Sequence, residues 1–421
     1  MKLKLIDYLF LYSFTAIWLL LIFNVILALG GYVFYSKLSK RRINILKNFT
    51  RYPYVSILIP AHNEEKVIAR TVEAMSKQFY PKDRYEIIII NDNSQDNTLQ
   101  VLEALKRRLV YCNIKIISTT KKNGGKGKSN ALNIGKLHAQ GEFIAVYDAD
   151  NTPESFALRY LVYELLNNET YGAVIGKFRT RNKYKNILTR FINIETLSFQ
   201  WMAQAGRFKI FNICTIPGTN FIIRSSALEK IGGWDSKAIA EDTEISFKLF
   251  EQGYRIGMMP LAVTWEQEPE TLNVWFKQRT RWVKGNIYVV FKYLPKVLSK
   301  QVKNIGIDIF YLVAVYFLFL SSLVLSNIIF LVGIFTPVKL SLAGNFLLLW
   351  VLAYIIFVLQ ILITLAMEKG ESSKSNILYV LIIYFTYCQL WMVVAGRGIV
   401  LYLTDMIFKR ETTWYKTERF D

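Results

Sequence analysis

Histidine is nearly absent from this chain: His62 and His138 are the only two among 421 residues. A histidine-ligated metal or a histidine general base therefore has little to be built from. His138 falls at the end of a helix-like run, where a structural role suffices. Cysteine is almost as sparse. Cys112, Cys214 and Cys388 are too scattered for zinc-ligand spacing, and three thiols cannot pair completely among themselves. They read as packing residues in a reducing compartment. Acid is short as well: 32 Asp and Glu stand against 52 Lys and Arg, a formal net charge of +20. Such an excess raises the question of nucleic acid, but no recognised binding motif accompanies it. No nucleic-acid partner is expected.

Much of the positive charge flanks long apolar runs. Leu9 to Tyr35, Ile305 to Phe335, Phe346 to Met367 and Ile377 to Ile407 each reach or exceed the roughly 20 residues that a helix needs to cross a bilayer. Lys37, Lys40, Arg41, Arg42 and Lys47 follow the first run, and Lys292, Lys296, Lys300 and Lys303 precede the second. That is the positive-inside arrangement, with anionic lipid as the nearest partner. The first run follows Lys2 and Lys4 and contains Ala28-Leu29-Gly30, which resembles a cleavage site. Its apolar stretch is longer than the roughly 7–15 residues of a signal-peptide core, so it reads as an anchor.

Between the first two runs, strand and helix signals alternate. Val55 to Ile59, Ile87 to Ile90, Ile114 to Ile117 and Phe143 to Tyr147 read as strands. Glu64 to Gln78, Asp96 to Arg107 and Ser129 to His138 read as the helices between them. Such alternation predicts a parallel sheet. In open α/β sheets ligands sit beyond the carboxyl ends of the strands. Each of these strands delivers polar residues to that edge: Pro60 to Glu65, then Asn91 to Thr98, then the basic turn Lys122 to Ala131, then Asp148-Ala149-Asp150. A basic, glycine-rich turn opening a helix suits phosphate oxygens, because exposed amides and the helix dipole favour an anion. Asp92 is able to accept hydrogen bonds from a uracil or ribose, and Asp96 suits a helix cap. Carboxylates Glu241, Asp242 and Glu244 open a further helix, where the dipole alone would accommodate them. From Trp275 to Leu298 aromatic residues alternate with Lys and Arg, the pattern of a helix lying along a membrane interface.

Asp92, the Gly127-Lys128 turn, Asp148-Ala149-Asp150, Glu241-Asp242 and Gln278-Arg279-Thr280-Arg281-Trp282, in this order and at these separations, resemble the motif set of the processive family 2 glycosyltransferases of membranes. That family includes cellulose, hyaluronan, chitin-oligosaccharide and poly-β-1,6-N-acetylglucosamine synthases. The resemblance covers nearly the whole chain, and its last element fits the family's Gln-x-x-Arg-Trp signature. It implies an α/β GT-A catalytic domain, Rossmann-like with a mostly parallel sheet, beside an α-helical transmembrane bundle. The expected division is an anchor and basic collar over 1–50, the GT-A domain over 51–272, interface helices over 273–304, membrane helices over 305–408 and a tail over 409–421.

The same resemblance implies roles. Asp92 would hold the uridine of a UDP-sugar with Ala61 and Glu64 beside it, and Lys128 would approach the nucleotide. Asp150 would bind a divalent ion bridging the diphosphate, with Asp148 touching both metal shell and nucleotide. Asp242, next to Glu241, would be the general base. Gln278, Arg281 and Trp282 would bind the diphosphate and the acceptor end. Gly218 and Thr219 would contact the acceptor, although Ile216-Pro217-Gly218 departs from the family's aromatic-Cys-Gly pattern there. Mg²⁺ or Mn²⁺ suits a site of carboxylates without histidine or thiolate.

The resemblance implies inverting transfer from a UDP-sugar, with UDP-N-acetylglucosamine favoured because the size and the arrangement of one span before and three after most resemble the poly-N-acetylglucosamine synthases. The acceptor is a growing β-linked polysaccharide, with a glycolipid as the alternative product and an inactive scaffold as the remote one. Four spans give little wall for a pore, so polymer export calls for a dimer or an export partner. UDP-sugar supply places the catalytic domain in the cytoplasm, at the plasma membrane. One conflict follows: four crossings would put the tail outside, yet Lys409, Arg410, Lys416 and Arg419 favour the inside. A re-entrant late segment, broken at Gly396-Arg397-Gly398, is one resolution; a tail that tolerates its charges outside is the other.

Overall fold

Eight strands form one sheet in the computed structural model, which describes residues 3–298, 306–336, 341, 345–408 and 417–420. The expected charges at Lys2, Lys300, Lys303, Lys409, Arg410 and Lys416 lie outside the described residues. The strands are β1 (Val55–Ala61), β2 (Tyr85–Asn91), β3 (Ile114–Ser118), β4 (Phe143–Val146), β5 (Thr152–Pro153), β6 (Tyr171–Thr180), β7 (Phe221–Arg224) and β8 (Arg255–Glu266). Their order is β3-β2-β1-β4-β7-β6-β8-β5. Alternate residues feed two cores, as a period of two requires. Ile57, Ile59, Ile87, Ile89 and Ala145 face one, while Leu58, Ile88, Ile90, Ile144 and Val146 face the other. Both faces are covered, which explains the near-continuous apolar runs.

The expected parallel pairing holds for β1 with β2 and β4, and for β2 with β3. Beyond β4 the sheet is mixed. β7 runs antiparallel to β4 with Phe221 opposite Val146, so the loop entering β7 reaches the edge from which Asp148 leaves β4. This reversal brings Gly218 and Thr219 to the other strands' carboxyl ends. β8 lies parallel to β6, and β5 pairs Thr152 with Trp265 of β8.

The first inter-strand helix is shorter than its sequence signal and spans Ile68–Ser76. Residues before it are held as a loop by the neighbouring β2 loop: the Asn63 amide donates to Ser94 at 2.9 Å, and the Glu64 amide to Thr98 Oγ1 at 2.8 Å. Asn63 has a left-handed φ of 54°, which ends any helical path there. Asp96 accepts from the Thr98 amide, the first residue of the helix Thr98–Arg108, as its capping role requires. Pro60, just past the expected strand Val55 to Ile59, lies inside β1 opposite Ile90.

Among the described residues, four helices are long and apolar enough to cross a membrane. They cover Leu5–Tyr35, 306–335 with a π-helical turn at Ala314–Phe319, Phe346–Ala366, and Tyr387–Ile407. The expected break at Gly396-Arg397-Gly398 is not found: those residues continue the last helix, and the interruption falls between Lys374–Ile383 and Tyr387–Ile407. Gly398 serves close packing instead, since a Cβ there would meet Val283 at 2.6 Å.

Both ends of this late segment touch the catalytic side. Asn376 bonds Glu371, which pairs with Arg179 at 2.8 Å and Lys183 at 2.5 Å, while Asp405 pairs with Lys284. Ten residues of helix span about 15 Å, half a bilayer core. Residues 417–420 lie against the catalytic domain, so that end of the described chain is on the catalytic domain's side.

The interface helix Leu272–Leu298 buries Trp275, Val283, Ile287, Val289 and Tyr293. Its cations differ from the lipid-facing expectation. Lys292 pairs with Asp235 at 2.8 Å and Glu244 at 2.7 Å, and Lys296 with Glu251 at 2.5 Å. These charges tie the helix to the catalytic domain. In the collar Arg41 pairs with Glu164, while Lys37, Lys40, Arg42 and Lys47 remain exposed.

Candidate active site

The strand ends enclose a cavity of about 400 Å³ whose wall includes Ala61, Glu64, Asp92, Lys128, Asp148, Asp150, Gly218, Thr219, Glu241, Asp242, Gln278, Arg281 and Trp282. Every residue to which the resemblance gave a site role is thus brought to one space. Asp92 is fixed at one end: its Oδ1 accepts from Thr119 Oγ1 at 2.9 Å and from the Gly125 amide at 2.8 Å. His62 Nδ1 lies 2.6 Å from the Asp92 carbonyl, so this histidine orients a loop. His138 is exposed, against the Ile134 carbonyl one turn back.

Lys128 occupies the middle. Its ammonium lies 2.6 Å from Asp148, 3.2 Å from Glu241 and 2.7 Å from the Gly218 carbonyl. Burial acts to lower its pKa, but the Asp148 and Glu241 carboxylates outweigh burial and hold it above the ordinary value. Lys128 therefore stays charged and bridges the β4 end to the helix Glu241–Glu251. Asp148 is pushed up by burial and by Asp150, with Lys128 opposing. Asp242 is pushed up to about 7, by burial first and by Glu241 second. Its Oδ1 accepts from the Thr243 amide at 2.7 Å, which fixes the carboxyl at the helix start. Glu244, the third acid of that turn, is buried against Lys292 and Tyr293 and has a structural role.

Gly218 has φ +92°, and a Cβ there would stand 2.9 Å from Asp242 Oδ2. Gly218→Ala is expected to cost roughly 1–2 kcal/mol through the left-handed backbone alone and to displace the Asp242 carboxyl. Thermal melts and turnover should both fall; an unchanged pair would show that the loop adapts freely. Thr219 Oγ1 accepts from the Asp148 amide at 3.0 Å and lies 2.5 Å from Asn151 Oδ1, locking the β4 exit to the β7 entrance.

In the segment Gln278 to Trp282 the two arginines differ. Arg279 is 1% exposed and pairs with Glu195 at 2.9 Å and Glu268 at 3.7 Å, with its guanidinium 3.9 Å from the Trp282 ring centroid. Glu195 also accepts from Tyr387 at 2.6 Å, so the last apolar helix is tied to this segment. Arg281 lines the cavity without an ion pair among the described residues, and its buried Nε has no hydrogen-bond partner. Burial lowers its pKa, opposed by Glu241 and Asp242. A cation in that state is poised for an anion.

Glu266, Glu268 and Arg419 are wall residues that sequence did not reach as parts of the site. Glu266 and Glu268 follow the apolar run of β8 beside β5, repeating the signal that marked Asp148 and Asp150. Burial, then the surrounding acids, push Glu266 well up; Glu268 is pushed to about 7 by burial against the opposing Arg279. Arg419 reaches in from beyond the last helix, its Nη1 2.8 Å from Asp150 Oδ2. The donor set is oxygen only, its acids are crowded, and a guanidinium meets Asp150 where a metal ion would be bound. That chemistry fits a divalent cation. No group of three or more His, Cys, Asp or Glu side chains among the described residues forms a cage. Mg²⁺ and Mn²⁺ are ordinarily held by one or two carboxylates together with substrate phosphates, not by a full protein cage.

The model of the family described as "Glycosyltransferase like family 2" matches residues 53–285. The chain belongs to this glycosyltransferase family. Over 413 residues, 98% of each chain, it is 48% identical to the probable glycosyltransferase YdaM of Bacillus subtilis. It is 30% identical over 287 residues to the poly-β-1,6-N-acetyl-D-glucosamine synthase of Staphylococcus epidermidis, covering 66% of this chain and 67% of that one. Among solved structures, the mannosyltransferase PcManGT of Pyrobaculum calidifontis, in complex with GDP-Man and Mn²⁺, aligns with a TM-score of 0.56. That alignment covers 93% of this chain and all of the other at 18% identity, a likeness of fold. The catalytic domain is GT-A-like, and the protein is a glycosyltransferase with several apolar helices beside it.

Proposed function

We propose that this glycosyltransferase moves N-acetylglucosamine from its UDP donor to the end of a growing β-linked polysaccharide, with the catalytic domain on the cytoplasmic face. The observation that carries the reading is the cavity itself. Carboxylates for a metal–nucleotide lie at one end, and the same wall continues to Tyr311 and Tyr316 of the second apolar helix. A polymer end held between them would leave toward the membrane helices. The relative named as a poly-N-acetylglucosamine synthase supports the choice of sugar and of polymer.

Asp92 would hold the uridine and Glu64 its surroundings. Asp242 takes the proton of the acceptor hydroxyl as that oxygen bonds to the anomeric carbon, and the bond from that carbon to the diphosphate oxygen breaks on the opposite face. The anomeric configuration inverts. Charge grows on the departing diphosphate, and Arg281 is placed to stabilise it. A divalent cation at Asp150, with Asp148 alongside, would neutralise the diphosphate when bound. Gln278 and Trp282 would hold the acceptor sugar, with Gly218 and Thr219 shaping the wall around it.

Purified detergent-solubilised protein should release UDP from UDP-N-acetylglucosamine alone, with Mn²⁺ or Mg²⁺, and yield a long product on sizing gels. Offering UDP-glucose and UDP-glucuronate singly and in combination tests the donor. A two-donor requirement would replace the homopolymer reading, and a short, lipid-extractable product would replace the polymer by a glycolipid.

A further inference from the structure

Where the cavity reaches the second apolar helix, its wall holds a charge pair that the transfer step does not use. Arg207, in the helix Arg207–Phe211, and Asp308, in the helix Gly306–Val313, both line the cavity, and their side chains are 3% and 1% exposed. The Arg207 guanidinium donates to Asp308 Oδ1 and to the Ala203 carbonyl, while its Nη2 lies 3.3 Å from Gln204 Oε1 and 3.4 Å from Thr215 Oγ1. Gln204 in turn donates to the Thr215 carbonyl at 2.8 Å and accepts from the Thr215 amide at 3.1 Å. The Tyr311 ring, three residues after Asp308, has its centroid 4.7 Å from the guanidinium carbon. Every nitrogen of Arg207 is thus engaged. Asp308 is not matched in the same way: its buried Oδ2 has no hydrogen-bond partner among the described residues.

A buried ion pair is expensive, and apolar side chains of similar volume would tie the two helices as well. A mere tie also gives no reason to leave a carboxylate oxygen unmatched at a cavity wall. The wall leading there is polar too. Thr196, Gln200 and Gln204, spaced by four, follow one face of the helical run 187–211, whose middle is π-helical. Thr196 lines the cavity, and Gln200, fully buried, has neither amide atom partnered among the described residues. An acceptor oxygen fixed by a guanidinium beside an aromatic ring suits a neutral sugar, which offers hydroxyl and amide donors on its edge and an apolar ring face. A phosphate would be repelled by Asp308, and a lipid tail has no donor to give. Thr215, which touches Arg207, stands three residues before Gly218 and at most about 11 Å from it along the chain. That is the reach of a second or third sugar. We infer that Asp308 Oδ2, held by Arg207 beside Tyr311, is a further acceptor subsite that takes a hydroxyl or acetamido N–H from a sugar one or two units behind the one being extended. The inference rests on the polysaccharide reading above and deepens it: the enzyme holds an acceptor of two or three units more tightly than a single sugar.

The full chain in detergent, titrated with β-1,6-linked N-acetylglucosamine oligomers of increasing length from the single sugar upward, tests this without turnover; the signal is the fluorescence of Trp282 and Trp391 in the cavity wall. Affinity should step up about 10- to 100-fold at the second or third unit, the gain from one hydrogen bond to a charged group, and stay level beyond it. Asp308→Asn presents an N–H donor where the unmatched oxygen was and should abolish the step. Because that variant leaves the Arg207 charge uncompensated, the double variant Arg207→Met with Asp308→Leu is the second arm, since apolar replacement of a whole buried pair is commonly neutral. It should keep the melting temperature and the affinities for UDP and for the single sugar, and lose the step. A step that survives in the double variant overturns the subsite and leaves the pair as a structural tie. A level series in the unaltered protein overturns the subsite too, while the polysaccharide reading stands. A step with glucose oligomers in place of N-acetylglucosamine oligomers, lost in the double variant, supports the subsite and overturns the choice of sugar. Failure of every oligomer of both sugars to bind overturns the polysaccharide reading and this inference with it.

Discussion

Asp242→Asn is expected to lower sugar transfer by about 10²–10⁴-fold while nucleotide binding persists, the range a positioned general base contributes. The Asp242 carboxyl sits at the start of the helix Glu241–Glu251, whereas Asp92, the residue read as holding the uridine, is fixed separately by Thr119 and the Gly125 amide, so donor capture is not expected to depend on Asp242. Asn keeps the size and one acceptor oxygen but cannot take a proton. The pH profile adds a second, independent check. Burial and Glu241 push Asp242 up to about 7, and a base works only when deprotonated. The rate should therefore be full above about 7 and fall as pH drops through it. For kcat/KM this limb reports the free enzyme. Glu241→Gln removes a neighbouring negative charge and should move the limb to lower pH. Normal polymer output from Asp242→Asn, or a limb that Glu241→Gln leaves in place, would remove Asp242 from the proton transfer.

The residues legible in the sequence are those delivered by strand ends. Asp148 and Asp150 stand out because an apolar run as buried as Phe143 to Tyr147 has no packing reason to end in two acids. Glu266 ends β8 and Glu268 follows it in the same manner, but Pro260 and Thr264 interrupt the apolar run that would have drawn attention to them. The mixed half of the sheet was not legible, since β7 has only four residues and its direction is set by its pairing with β4 and β6. Lysines on an amphipathic helix look alike in sequence whether they meet lipid or carboxylate. Lys292 finds Asp235 and Glu244 only because the helix Glu241–Glu251 packs beside it. The interruption before Tyr387 carries neither Gly nor Pro, whereas the glycines at 396 and 398 suggested a break where close packing was the need. Arg419 shows the limit most plainly: its partner Glu64 lies 355 residues away, beyond the reach of any local pattern.

Arg279 and Arg281, two positions apart on one helix, should respond to mutation in opposite ways. Arg279 is buried between Glu195 and Glu268, and those carboxylates, against the opposing effect of burial, hold its pKa above the ordinary value. Removing one partner of such a buried pair costs about 3–5 kcal/mol, because charge is left without compensation. Arg279→Met should therefore lower the melting temperature sharply and loosen the tie from Glu195 to Tyr387. Lys should rescue poorly, since one ammonium cannot reproduce the planar fork or its stacking on Trp282. Arg281 is the reverse case. Its guanidinium is half-buried, with no ion pair among the described residues and with a buried, unpartnered Nε, so the free protein bears a desolvation penalty there. Arg281→Met should leave the melting temperature unchanged or raise it, yet lower turnover by about 10²–10³-fold, the loss seen when a preorganised donor to developing negative charge is removed. Nucleotide should then stabilise the unaltered protein more than Arg281→Met in thermal melts, because only the former gains the missing anion. Equal stability losses in the two variants, or equal turnover losses without any change in melting, would mean that the helix does not separate a structural arginine from a functional one.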